Sequence, residues 1–298
     1  MPLASINGTE LHYDCHGHGE PLLLIHGLGS SGDDWAFQIG PLAQRFRVIV
    51  PDLRGCGRSP VGSGSVSIAG FAAELWQLLD SIGVRQTRIA GFSMGGAVAL
   101  EMALQRPEAV IQLVTINSLP SYRIDHWRKW LELNLQVALV KVLGLRRTAT
   151  MVGRRLFPEA QQQPMRQRVI DVLGAAAVEP YLRCARALAA WCAAERIGTL
   201  SADLLMIAGE KDYTGLAEKR EWARRMGARL AIVAGSRHGT PFDAIQATNR
   251  CLLAFFSGEP LPEKLAIDSI DQVPVAPPTL PPEVRESGMH RSSNRAAG

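Results

Sequence analysis

The stretch Arg88-Ile89-Ala90-Gly91-Phe92-Ser93-Met94-Gly95-Gly96-Ala97 decides the fold. A short strand-like run at 88–90 leads into the pattern Gly-x-Ser-x-Gly at 91–95, and a helical run follows at 97–105. In that context the five residues read as a sharp strand-to-helix turn that holds Ser93 in a strained conformation with its hydroxyl exposed. Gly91 and Gly95 are needed because a Cβ at either place would collide as strand and helix approach. The plain alternative is a glycine-rich turn with an incidental serine.

Outward from this turn, short apolar runs at 3–6, 11–15, 22–25, 47–50 and 111–116 alternate with amphipathic stretches, the rhythm of strands crossing over through helices into a largely parallel sheet. Asn7-Gly8 joins the first two runs and signals a hairpin, so the sheet begins antiparallel. Apolar residues from Ile68 to Ile82 recur at helical spacing, with Ser67 placed to cap the start and Gly83 to stop the end. After Ser118 the rhythm changes to helical patterns such as 127–145 and 181–194. It resumes with strands at 204–208 and 230–234, a helix at 216–226 closed by Gly227, and a last helix ending near Phe256. The fold class expected is therefore α/β, with an eight-stranded, mostly parallel sheet flanked by helices. The boundaries expected are a core of 1–117 and 200–256 and a helical insertion at 118–199. From 257 to 298 there is no Phe, Trp or Tyr and seven of the 18 prolines, so a loose tail is expected.

Composition narrows the function. With 298 residues, 47% hydrophobic and 20% charged, the chain excludes wholesale disorder, collagen-like repeats and coiled coil. The five cysteines lack Cys-x-x-Cys spacing and read as reduced thiols, with neither a disulfide framework nor a zinc site. The N-terminus shows no leader pattern and the greasy tract 135–145 is too short to span a bilayer, so a cytoplasmic location is the expectation. A net charge of +4 without a basic stripe interleaved with aromatics argues against nucleic acid. The charge is uneven: residues 118–199 carry 13 Lys and Arg against six Asp and Glu.

A serine hydroxyl is a poor nucleophile and needs a base, held in turn by an acid. Asp212 follows the strand at 204–208 and His238 follows the strand at 230–234, which puts both on loops at the carboxyl end of the sheet, where open α/β sheets build their sites. The order Ser93, Asp212, His238 suits a nucleophile-elbow fold. Asp212 also reads as a turn residue or cap, with Glu210 the substitute acid, and His238 as a surface loop histidine. His26-Gly27-Leu28-Gly29 follows the strand at 22–25 and suits an oxyanion loop, its donors the amides of Leu28 and of Met94. His26 then braces that loop and binds no metal. Asp33 and Asp34 read as helix caps.

These stretches, with Asp52-Leu53-Arg54-Gly55-Cys56-Gly57-Arg58-Ser59, resemble the α/β-hydrolase fold superfamily over residues 3–256. The resemblance implies a nucleophile at Ser93, a general base at His238, an orienting acid at Asp212 and a helical cap at 118–199. It disfavours the members whose nucleophile is Asp. It leaves the substrate open, since the superfamily includes esterases, lactonases, perhydrolases, C–C bond hydrolases and inactive receptors. The reading adopted is a carboxylic ester hydrolase working through an acyl-enzyme on a small-molecule ester of an apolar acyl group, its chain length left open, without metal or organic cofactor. The alternatives are a C–C bond hydrolase, lactonase or perhydrolase using the same triad, and a catalytically inactive ligand-binding protein. In the cap, the apolar residues from Trp127 to Leu145 outnumber what one buried helix face needs. They are expected either to be buried between cap and core or to line an acyl pocket over Ser93. Arg146, Arg147, Arg154 and Arg155 read first as a solvated face, with contact to an anionic membrane surface the alternative.

Overall fold

A computed structural model describes residues 3–6 and 9–268 of the chain. Its centre is one sheet of β1 (Leu3–Ile6), β2 (Thr9–His16), β3 (Glu20–Ile25), β4 (Phe46–Pro51), β5 (Thr87–Phe92), β6 (Val110–Ile116), β7 (Asp203–Gly209) and β8 (Arg229–Val233). The spatial order is β1-β2-β4-β3-β5-β6-β7-β8. β1 pairs with β2, and β2 with β4, antiparallel; every later pairing is parallel. Each strand lies within two residues of the run that predicted it. Asn7 and Gly8 lie outside the described residues.

The central strands read as unbroken apolar runs because both of their faces are covered. Leu23 and Ile25 join the core beneath α2 (Ile68–Ser81) and α3 (Met94–Gln105). Leu22 and Leu24 point the other way, into the core under α1 (Ala36–Ala43) and the C-terminal helix Ile245–Phe256. The Ser67 hydroxyl caps α2, accepting the Gly70 N–H at 3.0 Å. No disulfide is present among the described residues. No described helix is long and apolar enough to cross a membrane.

Between β6 and β7 the chain inserts α4 (Trp127–Leu156), α5 (Gln163–Ala175) and α6 (Val178–Ala190). His126 caps α4 through its Nδ1, which accepts the Arg128 N–H at 3.2 Å. Gly144, at φ 75° and ψ 166°, breaks α4 into two segments. The expectation for the apolar excess here is met only in part. Val140 and Leu145 are buried, whereas Trp127, Trp130, Leu131, Leu135 and Val142 face solvent. After β7 come α7 (Leu216–Met226), α8 (Thr240–Asp243) and α9 (Ile245–Phe256).

The loose tail expected from 257 needs correction over its first part. Residues 259–268 return along the sheet, where the Ala234 N–H donates to the Leu265 carbonyl at 2.9 Å and the Ile267 N–H to that of Ala234 at 3.1 Å. Leu265 is buried, and the Asp268 carboxylate accepts the Gln246 N–H at 3.1 Å. Backbone pairing at Ala234, just past the end of β8, supplies here what the missing aromatics cannot. The remainder of the expected tail, 269–298, lies outside the described residues.

The start of α3 lies hard against the end of β3: a Cβ on Gly95 would stand 2.2 Å from the Ile25 carbonyl oxygen and 2.6 Å from that of His26. Both obstacles are backbone and cannot swing aside. Gly95→Ala is therefore expected to lower stability by about 3 kcal/mol, read as a reduced midpoint in urea unfolding at unchanged slope.

Candidate active site

Ser93 joins β5 to α3 at φ 53° and ψ −117°, a region that non-glycine residues enter at a cost of about 1–3 kcal/mol. The surroundings enforce it. The Ser93 N–H donates to the Ile116 carbonyl at 2.9 Å, fixing the turn to β6. A Cβ on Gly91 would stand 2.2 Å from the Gly95 carbonyl oxygen, so the strand and the new helix meet at backbone distance. Met94 opens α3, and the first amides of a helix have no acceptor within it.

The three separated candidates meet at this turn. His238 Nε2 is 2.9 Å from Ser93 Oγ, and His238 Nδ1 is 2.9 Å from Asp212 Oδ1. All three side chains are buried. A carboxylate only accepts, so Nδ1 carries the proton and Nε2 is left to receive the serine's. Burial works against the charge on Asp212, but the His238 hydrogen bond and charge, together with Lys219, outweigh it and hold the carboxyl at about 2. Glu210, the substitute acid, instead accepts the Gly235 N–H at 2.8 Å through Oε2.

Three neighbours escaped the sequence reading. Lys219, on α7, is fully buried and donates to Asp212 Oδ2, which also accepts the Thr214 hydroxyl at 2.6 Å. Burial pulls the Lys219 amine below its ordinary value, and Asp212 opposes that pull. Asn117, at the end of β6 with φ 47°, is the knot between the loops. Its Nδ2 donates to the His238 carbonyl and to Thr240 Oγ1, both at 2.7 Å, while its Oδ1 accepts the Gly209 N–H at 2.8 Å and Lys219 Nζ at 3.1 Å. Tyr213 stacks on His238, centroids 4.3 Å apart, with its hydroxyl 3.1 Å from Nε2. The one signal in the sequence was adjacency: Tyr213 follows Asp212 directly, and Asn117 closes the strand that neighbours the elbow.

The loop after β3 is braced from both sides. His26 Nδ1 donates to the Gly27 carbonyl at 2.8 Å, and Nε2 accepts the Leu53 N–H at 3.0 Å, so both ring nitrogens are engaged within the protein. Asp34 is not a helix cap. The Ser31 hydroxyl caps the turn Gly32–Trp35, while buried Asp34 accepts the Gly27 N–H at 3.0 Å and the Ser30 hydroxyl. Burial pushes its carboxyl up. Because a Cβ on Gly95 would meet the carbonyls of Ile25 and His26, this loop and the start of α3 are neighbours.

A family model described as alpha/beta hydrolase fold matches residues 20–154. The putative carbamate hydrolase RutD of Azorhizobium caulinodans is 39% identical over 117 residues, 39% of this chain and 44% of that protein. RutD of Variovorax paradoxus is 34% identical over 165 residues, 54% of this chain and 61% of its own. The chain thus spans less than two thirds of the curated relatives it matches. Among solved structures, a hydrolase from Pseudomonas aeruginosa PA01 aligns at 26% identity and TM-score 0.77 over 86% of this chain and 97% of its own. The enol-lactonase of Burkholderia xenovorans LB400, at 24% identity and TM-score 0.78 over 86% and 100%, shares the fold.

The Asp212–Lys219 contact yields a measurable prediction. Lys219→Met leaves a buried carboxylate short of its cation and is expected to lower stability by about 3 kcal/mol, most of it recovered in the double variant with Asp212→Asn. A carboxyl held at about 2 rather than 3.8 stabilises the fold fully above pH about 4 and loses that contribution as pH falls through about 2. The stability gap between the parent and Asp212→Asn should accordingly narrow on acidification across that window; a gap constant with pH would refute the assignment.

Proposed function

We propose that the chain, which shares the α/β-hydrolase fold, is a serine hydrolase that cleaves carboxylic esters of apolar acyl groups through an acyl-enzyme. The observation that carries this reading is the unbroken row Ser93 Oγ, His238 Nε2, His238 Nδ1, Asp212 Oδ1, with 2.9 Å at each step from one side chain to the next. Ser93 attacks the substrate carbonyl as His238 takes its proton, and Asp212 stabilises the imidazolium. The amides of Leu28 and Met94 receive the oxyanion, an interaction worth a few kcal/mol in the transition state. His238 returns the proton to the leaving alcohol, and water repeats the sequence on the acyl-enzyme. No step draws on a metal or organic cofactor.

The apolar preference rests on the cap. Val140, Leu145, Leu173 and Tyr181 form a buried cluster against which Leu28 of the oxyanion loop packs. A Cβ on Gly29 would stand 2.5 Å from Leu173 Cδ1, so the cap rests directly on that loop. The Tyr213 hydroxyl occupies the open side of Nε2, the place a leaving oxygen or attacking water must take, so it yields to substrate. Lactones and carbamates undergo the same acyl chemistry, and the names of a matched relative, carbamate hydrolase, and of a solved neighbour described as degrading N-acyl homoserine lactone favour testing both.

A fluorophosphonate probe is expected to label one peptide, that containing Ser93, and to leave Ser93→Ala unlabelled; a folded parent that takes no label would refute the reading. Ser93→Ala and His238→Ala are each expected to lower kcat on p-nitrophenyl butyrate by about 10⁴-fold or more with little change in KM. A panel from acetyl to dodecanoyl esters, with a lactone and a carbamate, should show kcat/KM rising with acyl length; a flat profile would remove the acyl-pocket argument.

A further inference from the structure

The outer segment of α4, residues 127–143 before the break at Gly144, is apolar on two opposite sides. One side is explained: Val140 is fully buried, and Val137 packs with it in the cap cluster. The other side is not. Trp127, Leu131, Leu135 and Val142 are 63%, 41%, 60% and 80% exposed. At 100° per residue they fall within an arc of about 80°, whose centre lies about 180° from Val140. The stripe runs about 22 Å along the helix, and Trp130, also exposed, stands beside its N-terminal end. A contiguous apolar strip turned directly away from the core marks a surface that meets something else.

The charges around it select the partner. Arg128 and Lys141 flank the strip on its two sides, both exposed, and Arg128 lies over the Trp127 ring at 5.5 Å. Along the whole of α4 seven basic residues, all exposed, stand against one acid, Glu132. A second copy is a poor occupant: with seven basic residues against one acid, two copies of this face brought together would set like charge against like. A bilayer interface with anionic headgroups suits every part of it. Tryptophans sit at headgroup depth, the aliphatic strip enters the acyl boundary, and flanking cations meet the lipid charge.

We propose that the outer face of α4 is a docking surface for an anionic lipid bilayer, a property independent of the catalytic reading. The full chain is mixed with sucrose-loaded vesicles of phosphatidylcholine containing about 30% phosphatidylglycerol, and with vesicles of phosphatidylcholine alone. Sedimentation with the anionic vesicles is expected to be at least about tenfold greater, and to fall about fivefold or more in half-molar salt. The variant Trp127→Gln/Leu131→Gln/Leu135→Gln/Val142→Gln should lose this binding while keeping its circular dichroism and its hydrolysis of a soluble ester, since these side chains stand in water. The charge reversal Arg128→Glu/Lys141→Glu should lose it too and serves if the first variant does not fold. The segment 269–298 is unchanged in both variants, so a loss maps to α4. Failure of the parent to sediment, full binding by a folded variant, or a concentration-dependent dimer dissolved by the same substitutions would overturn the proposal.

Discussion

A carboxylate withdrawn from water must be met by donors from every side, and the whole candidate site of this molecule is arranged around meeting that demand at Asp212. His238 reaches it from the loop after β8, Thr214 from its own loop and Lys219 from α7. Asn117 then ties Lys219, the end of β7 and the His238 loop to the end of β6. The imidazole is consequently held by its ring contacts and by the main chain that carries it. Movement of any one of these segments would leave a charge or a polar group stranded, so the direction in which the imidazole points is fixed well before a substrate arrives.

A similar economy governs the loop after β3. Its backbone is pinned by groups that approach from three places in the sequence: His26 within the loop, Leu53 after β4, and Asp34 at the next turn. Asp52, fully buried, accepts the Gly32 N–H at 2.8 Å and the Arg58 N–H at 2.9 Å, so the loop after β4 is locked to the same region. The amide donors proposed for the oxyanion therefore sit on a frame whose own hydrogen bonds are already made, which is what preorganisation requires.

The strands and the elbow were legible because they depend on local pattern. Strands buried on both faces must be apolar at every position, and a turn that brings backbones within touching distance must carry glycine. Asp212 and His238 were legible because topology places loops after strands at one sheet edge. Lys219 was not: Glu218-Lys219-Arg220-Glu221 reads as a solvated helix surface, and only the fold shows that one of the four turns inward toward a carboxylate seven residues back. Asp34 was misread because a carboxylate beside a helix start has the signature of a cap, whatever it bonds in space. α5 escaped because only Met165 and Leu173 of it are buried, too few to trace a period. The outward strip of α4 could not be told from a buried one, since periodicity reports that residues share a face and not what that face meets.

The return of the chain along β8 has a consequence for how copies of the protein behave in crowded solution. β8 is the last strand of the sheet, and Ala234 at its end has both main-chain hydrogen-bonding groups occupied by Leu265 and Ile267 of the same chain. A foreign strand seeking to extend the sheet at that point finds its docking positions taken. The loop bearing His238 begins just beyond, so the same segment closes the sheet edge at the point where that loop departs.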